Sequence, residues 1–486
     1  MKGKLNKQNI IILLIAILTP VIGMALYMLK YGIGIGDISI ACSAWNDELW
    51  YYKMIEAMVH YGLPQGYYGY NESHAIWGNL GGWSIAIYIP FVAIGKLVGW
   101  TYMTPIVINL VLWIASFILF VAALKPSLSQ QVFVSLVWLS YSINIRYIFS
   151  ATPEVLITVC FFWVAVAFVA LYRNPKSIGW LVFADIVLVY LTLMRGYFIL
   201  FIVCIMAILY KDSKKINAKL IIQIAVALLA AIGFVLIVHF CMAEYFVPDI
   251  NTEWLTHPKA FIKLNLMGFI ESLQYMWEAV LLKNMRGSWY IIYVMILPFI
   301  VRRCIKSKDI VDFSLLFTWF ALIIAMWTLY TAKEGCRHLM AYCMVAIMLI
   351  AYTEYKTKLA YIMIGVLIYT NWLSTDYFFN GLIPEDETQM EALADGYEKL
   401  SKVLELGDEP WDNTIISTRI TYSNDMYAIP EGFALNSCLD DFVREHWDEL
   451  NSKYIAYRPE GDLNDFLAER CEVVATYGDT VVYQIR

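Results

Sequence analysis

Apolar residues in this chain come in blocks near the length of a bilayer crossing, with little of the alternation that marks strands. The blocks fall at 10–29, 82–99, 102–124, 131–148, 155–172, 178–194, 197–210, 219–241, 289–301, 311–330, 338–353 and 359–375. Runs of this length predict membrane-spanning helices. The first follows Lys2, Lys4 and Lys7 and is too long for a signal-peptide core, so it reads as the first span. Basic residues cluster in short connectors: Lys125, Arg173 with Lys176, Lys211 to Lys219, Arg302 to Lys308, and Lys356 with Lys358. The stretches between them carry most of the acids. The positive-inside tendency places the basic connectors in the cytoplasm. The sides alternate correctly only if one block before Lys125 does not cross. The block 82–99 follows Gly81-Gly82 and contains Pro90 and Lys96, so it is expected to lie in the outer interface or to re-enter. About eleven crossings result. They put the N-terminus in the cytoplasm and the C-terminus on the extracytoplasmic side of a plasma membrane.

Past residue 375 the pattern changes. Residues 389–405 and 440–450 have helical periodicity. Segments 413–418, 453–457, 471–476 and 480–485 read as strands, the last two joined at Gly478-Asp479 as a hairpin. The expected fold class is an all-α polytopic membrane region over 1–375 and a small extracytoplasmic α/β domain over 376–486, long enough to bury its own core.

Composition supports the membrane assignment. The chain is 60% hydrophobic and 16% charged, against about a quarter charged in soluble domains, and its mean hydropathy is +0.61. No basic stripe accompanies the net charge of -6, which argues against a nucleic-acid partner. The nine cysteines include no CxxC pair, so no zinc or redox motif is visible. Cys438 and Cys471 share the C-terminal region, either as a disulfide or as two thiols.

Charge near a bilayer needs a reason, because an ion at mid-membrane costs about 2.5–3.5 kcal/mol on insertion scales. Four clusters qualify. Asp47 and Glu48 sit among Trp45, Trp50, Tyr51 and Tyr52, just after the first span. A carboxylate there suits proton abstraction from a hydroxyl or amine, or a divalent ion, and the aromatics suit a sugar face or lipid chain. The same residues also fit an ordinary interfacial aromatic belt. Asn71-Glu72-Ser73-His74 follows in the same loop. Arg146 and Thr152-Pro153-Glu154 come next, where Pro153 and Glu154 also suit a plain helix start. Lys333-Glu334-Gly335-Cys336-Arg337-His338 forms a late outer turn, whose guanidinium suits phosphate oxygens or simple snorkelling. Arg195 is expected at the outer face between two spans, and Asp185 lies deeper with no assigned role.

In their order and spacing over most of 1–375 these motifs resemble the GT-C superfamily of membrane glycosyltransferases, near the protein O-mannosyltransferases and aminoarabinose-lipid A transferases. The carriers are Asp47-Glu48 after the first span, Glu72-Ser73-His74 in the first outer loop, Thr152-Pro153-Glu154 before a span, Met194-Arg195-Gly196 between spans, and Arg337-His338 late. The family's Pro-Pro after the loop histidine is replaced by Ala75-Ile76. The resemblance implies in-plane helices in the first outer loop and an inverting EC 2.4 transferase. Its donor would be a polyprenyl-phosphate sugar and its acceptor a glycan, lipid or protein. It implies Asp47 as general base, with Glu48 and Glu154 shaping the site or binding a metal. Lys333, Arg337 and His338 would bind phosphate, and His74, Trp45 and Tyr51 would contact substrate. A divalent cation, if used, would fall to Asp47 and Glu154. The competing class is a lipid or small-solute transporter or flippase, which would need inverted repeats and broken helices meeting at mid-membrane.

Overall fold

The computed structural model describes residues 7–38, 46–72, 78, 80, 84–241, 287–329, 348–373, 387–418, 426–458 and 463–485, with scattered residues within 257–274 and 341–346. Helix α1 (Lys7–Tyr31) precedes α2 (Asn46–His60), α3 (Ile89–Val98), α4 (Met103–Leu124), α5 (Leu128–Ser140), α6 (Ser142–Ile148), α7 (Glu154–Arg173), α8 (Ile178–Met194), α9 (Ile202–Ser213) and α10 (Ala218–Cys241). Helices α11 (Gly287–Ser307), α12 (Ile310–Leu329) and α13 (Lys358–Ile368) complete the bundle. Among the described residues, five helical segments are long and apolar enough to cross a membrane: Lys7–Tyr31, Met103–Leu124, Glu154–Arg173, Gly196–Ser213 and Ala218–Phe240. Helix α3 has only 10 residues. At 1.5 Å per residue it spans about 15 Å, half the hydrocarbon thickness.

Two apolar blocks break. The block 131–148 is two helices, parted at Tyr141 (φ -104°, ψ 86°). Ser140 returns its hydroxyl to the Val137 carbonyl and Ser142 donates to the Asn371 carbonyl at 2.9 Å, so side chains take up hydrogen-bonding capacity at the kink. The block 197–210 starts as a 3-10 turn, Gly196–Phe201, after an extended Arg195. A Cβ on Gly196 would meet the Phe234 ring at 2.8 Å, so glycine lets this joint press against α10.

The basic connectors gather at one end of the bundle. Arg173 donates to the Leu124 carbonyl at 2.9 Å and to the Tyr352 hydroxyl. Lys211 pairs with Asp309, and Arg302 lies 3.8 Å from Glu354. The opposite end carries the C-terminal domain. Tyr102, at the start of α4, stacks on Tyr52 (4.6 Å) and on Tyr427 (6.2 Å). Helix α4 has 22 residues, so about 33 Å separates these two ends.

The C-terminal domain is a mixed sheet flanked by helices, including α14 (Glu387–Val403), α15 (Asp440–Glu445) and α16 (Asn464–Arg470). Its strands are β2 (Thr414–Ser417), β3 (Ala434–Ser437), β4 (Tyr454–Tyr457), β5 (Cys471–Tyr477) and β6 (Thr480–Ile485), with β5 and β6 antiparallel around Gly478 (φ +47°). A sixth strand, β1 (Tyr67–Tyr70), comes from the first loop and pairs in parallel with β3, giving the order β1-β3-β2-β4-β6-β5. Glu72 fastens the same loop. Its carboxylate accepts from the backbone amides of Asn451 and Ser452, both at 2.7 Å, although Glu72 adopts φ +55°. Hydrogen bonds to a charged group contribute about 1.5–3 kcal/mol each. Glu72→Ala is expected to speed amide exchange at Asn451 and Ser452 by at least tenfold, read by hydrogen–deuterium exchange. Unchanged exchange at those two amides would remove this clamp from the account.

Cys438 and Cys471 are both free and buried. Burial pushes the Cys438 thiol up to about 12, helped by the nearby Glu72 carboxylate. At pH 8 the thiolate, the reactive form, is therefore scarce. A maleimide followed by peptide mass spectrometry is expected to leave Cys438 unmodified in the folded protein and to label it once denaturant is added. Labelling at equal rates in both states would contradict the burial.

Candidate active site

Helix α2 opens the site. Its first turn holds Asn46, Asp47 and Glu48, and acids at a helix start are favoured by its dipole. Glu48 is fully buried, where a lone carboxylate would be costly. Arg146 answers it with both arms: Nη1 to Oε1 at 2.8 Å and Nη2 to Oε2 at 2.9 Å, each side chain 0% exposed. Such a bidentate pair offsets desolvation by geometry as well as charge. Arg146 belongs to the short α6, every residue of which is buried. The turn after α6 is held from α4, where the Asn109 side-chain amide reaches the carbonyls of Tyr147, Ile148 and Ser150.

That turn leads into a second pair. Pro153 stands at the N-cap of α7 and Glu154 in its first turn. Glu154 Oε1 accepts from Arg195 Nη2 at 2.9 Å, with both side chains 3% exposed. Arg195 sits at the extended joint after α8. Tyr51 lies one turn beyond Glu48 on α2. It packs against Trp50 (5.2 Å) and Tyr88 (5.9 Å). The two acid–arginine pairs, one of them anchored on α2 itself, thus lie at the end of the bundle nearest the C-terminal domain.

Sequence reasoning named Glu48, Glu154, Arg146 and Arg195 without pairing them. It missed Asn109, whose signal is a lone amide inside an otherwise apolar block. It also missed Lys53, a buried lysine on α2 that lies 3.1 Å from Glu56 and donates to the Ile429 carbonyl of the C-terminal domain. Asp47 belongs to α2, but its side chain lies outside the described residues, as do Trp45, His74, Lys333, Arg337 and His338. Asp185 is remote from this cluster and accepts from Gln223 at 2.8 Å. Among the described residues no three His, Cys, Asp or Glu side chains group as a metal site.

No protein-family model and no curated protein matches the chain. Solved structures do. The chain is similar in overall path to ArnT from Cupriavidus metallidurans. The apo structure of ArnT aligns at 12% identity with a TM-score of 0.44, and the structure bound to undecaprenyl phosphate at 11% identity with a TM-score of 0.46. Each alignment covers 96% of this chain and 97% of the other.

Proposed function

We propose that this chain is an inverting glycosyltransferase that moves a sugar from a polyprenyl-phosphate donor to an acceptor at the extracytoplasmic membrane face. The observation that supports it best is the pair of buried acid–arginine bridges, Glu48–Arg146 and Glu154–Arg195, the first of which anchors the helix whose first turn carries Asp47. Both oxygens of Glu48 are committed to Arg146, which suits an anchor that fixes α2 better than a proton acceptor. Glu154 gives one oxygen, Oε1, to Arg195 and in this reading shapes the floor of the site.

In this reading Asp47 is the general base. It takes the proton from the acceptor nucleophile as the nucleophile bonds to the sugar's anomeric carbon. The bond from that carbon to the phosphate oxygen breaks in the same displacement, so configuration inverts and polyprenyl phosphate leaves. Charge growing on the phosphate needs preorganised positive groups. Arg337, with Lys333 and His338, fills that role. Trp45 and Tyr51 supply aromatic surface for the sugar, and His74 contacts substrate. A divalent cation, if the reaction uses one, would fall to Asp47 and Glu154. The lipid donor enters sideways between helices, because its tail stays in the bilayer.

The test is turnover in nanodiscs. Purified protein is given a panel of polyprenyl-phosphate sugars and acceptors, and free polyprenyl phosphate is measured. Release dependent on both donor and acceptor is expected. Translocation of intact donor between leaflets without release would replace this reading with a flippase.

A further inference from the structure

A cavity of about 350 Å³ opens inside the bundle, lined by α7, α9, α11, α12 and the helical stretch ending at Glu354. Its position separates it from the two acid–arginine pairs. Along α7 its wall begins at Phe161 and continues to Arg173. At 1.5 Å per residue that is about 18 Å, slightly more than one leaflet's half of a hydrocarbon core near 30 Å thick. The volume falls in the range of ligand pockets, and close-packed interiors rarely leave so much space between side chains.

The shaft and the mouth differ in chemistry. Phe161, Ala165, Phe168, Phe299 and Leu315 give the shaft an apolar lining. Polar groups collect only at the end where the basic connectors gather. There Asp312 is occupied by Arg303 Nε at 2.9 Å and by the Ser307 hydroxyl at 2.5 Å. Arg173 is different. It is exposed, two of its N–H groups go to the Leu124 carbonyl and the Tyr352 hydroxyl, and it faces no carboxylate among the described residues. An arginine with donor capacity left over, at the mouth of an acyl-length slot on a lysine- and arginine-rich end, matches one class of ligand.

We propose that this slot holds one acyl chain of an anionic phospholipid from the leaflet at the basic end, with the lipid phosphate on Arg173. The planar guanidinium fork suits phosphate oxygens. The surrounding cations favour an anionic headgroup over a zwitterionic one. A polyprenyl donor reaching the acid–arginine end would carry its phosphate at the wrong end of this slot. The proposal therefore stands apart from the transferase reading, and either can fail alone.

The full chain, reconstituted in vesicles of equal parts phosphatidylglycerol and phosphatidylethanolamine and then extracted in mild detergent, is analysed by native mass spectrometry. The expected result is one retained phospholipid, predominantly phosphatidylglycerol. Arg173→Gln is expected to lower the preference for phosphatidylglycerol about tenfold or more, the scale of one lost charge-assisted contact. Arg173→Lys should recover part of it. Ala165→Trp, which fills the shaft, should abolish retention of either lipid while thermal unfolding stays cooperative. Unchanged headgroup preference in Arg173→Gln overturns the headgroup assignment. Unchanged retention in Ala165→Trp, or preferential retention of added polyprenyl phosphate in the wild-type chain, overturns the slot as a phospholipid site.

Discussion

Arg146→Ala is expected to lower stability by about 3–5 kcal/mol, because it strands the Glu48 carboxylate in a site with no exposure to water. A typical domain is stable by only about 5–15 kcal/mol, so the variant should unfold many degrees earlier in detergent, followed by tryptophan fluorescence. Glu48→Gln should fall in the same direction, leaving the guanidinium without its counter-ion. The double variant Glu48→Met/Arg146→Met removes both charges and fills similar volume. It should recover most of the loss, since apolar replacement of a buried pair is often neutral or better. Single variants that melt with the wild type would show the pair is not holding α2. A double variant no better than the singles would place the effect in packing.

Asp47→Asn is expected to keep the fold and lose turnover by about 10²–10⁴-fold, the usual contribution of a positioned general base. Asparagine matches aspartate in shape and is well tolerated at a helix start. Helix-end electrostatics should cost only about 0.3–1 kcal/mol. The loss should fall on kcat with the donor KM little changed, because the base acts on the acceptor's proton and not on the lipid phosphate. Thermal unfolding within a few degrees of wild type, together with near-normal turnover, would end the assignment of Asp47. Loss of donor binding would instead assign it a positioning role.

How much of this was legible in the chain depends on the range of the interaction. The blocks 10–29 and 102–124 become Lys7–Tyr31 and Met103–Leu124 because a long apolar run in lipid must satisfy its backbone internally. The hairpin at Gly478 is equally local, as are the strands at 454–457 and 480–485. The break at Tyr141 is hidden inside an apolar run, since Ser142 finds its partner 229 residues away. Strand β3, Ala-Leu-Asn-Ser, has no β-branched or aromatic residue and gives no local signal. In the candidate site the acids and arginines stand out individually as charges in apolar surroundings. Their pairing does not, because Arg146 and Glu48 are 98 residues apart and Arg195 and Glu154 are 41 apart.

The parallel pairing of β1 with β3 sets a timetable for assembly. Gln65 donates to the Pro430 and Phe433 carbonyls, and 365 residues of chain separate Gln65 from Pro430. At translation rates of about 5–20 residues per second, roughly 20–70 s pass before the edge that receives the first loop exists. During that interval the first loop has been made but not strand β3, with which β1 pairs. A nascent chain released before residue 437 would therefore leave β1 without its partner strand and Gln65 without the two carbonyls that hold it.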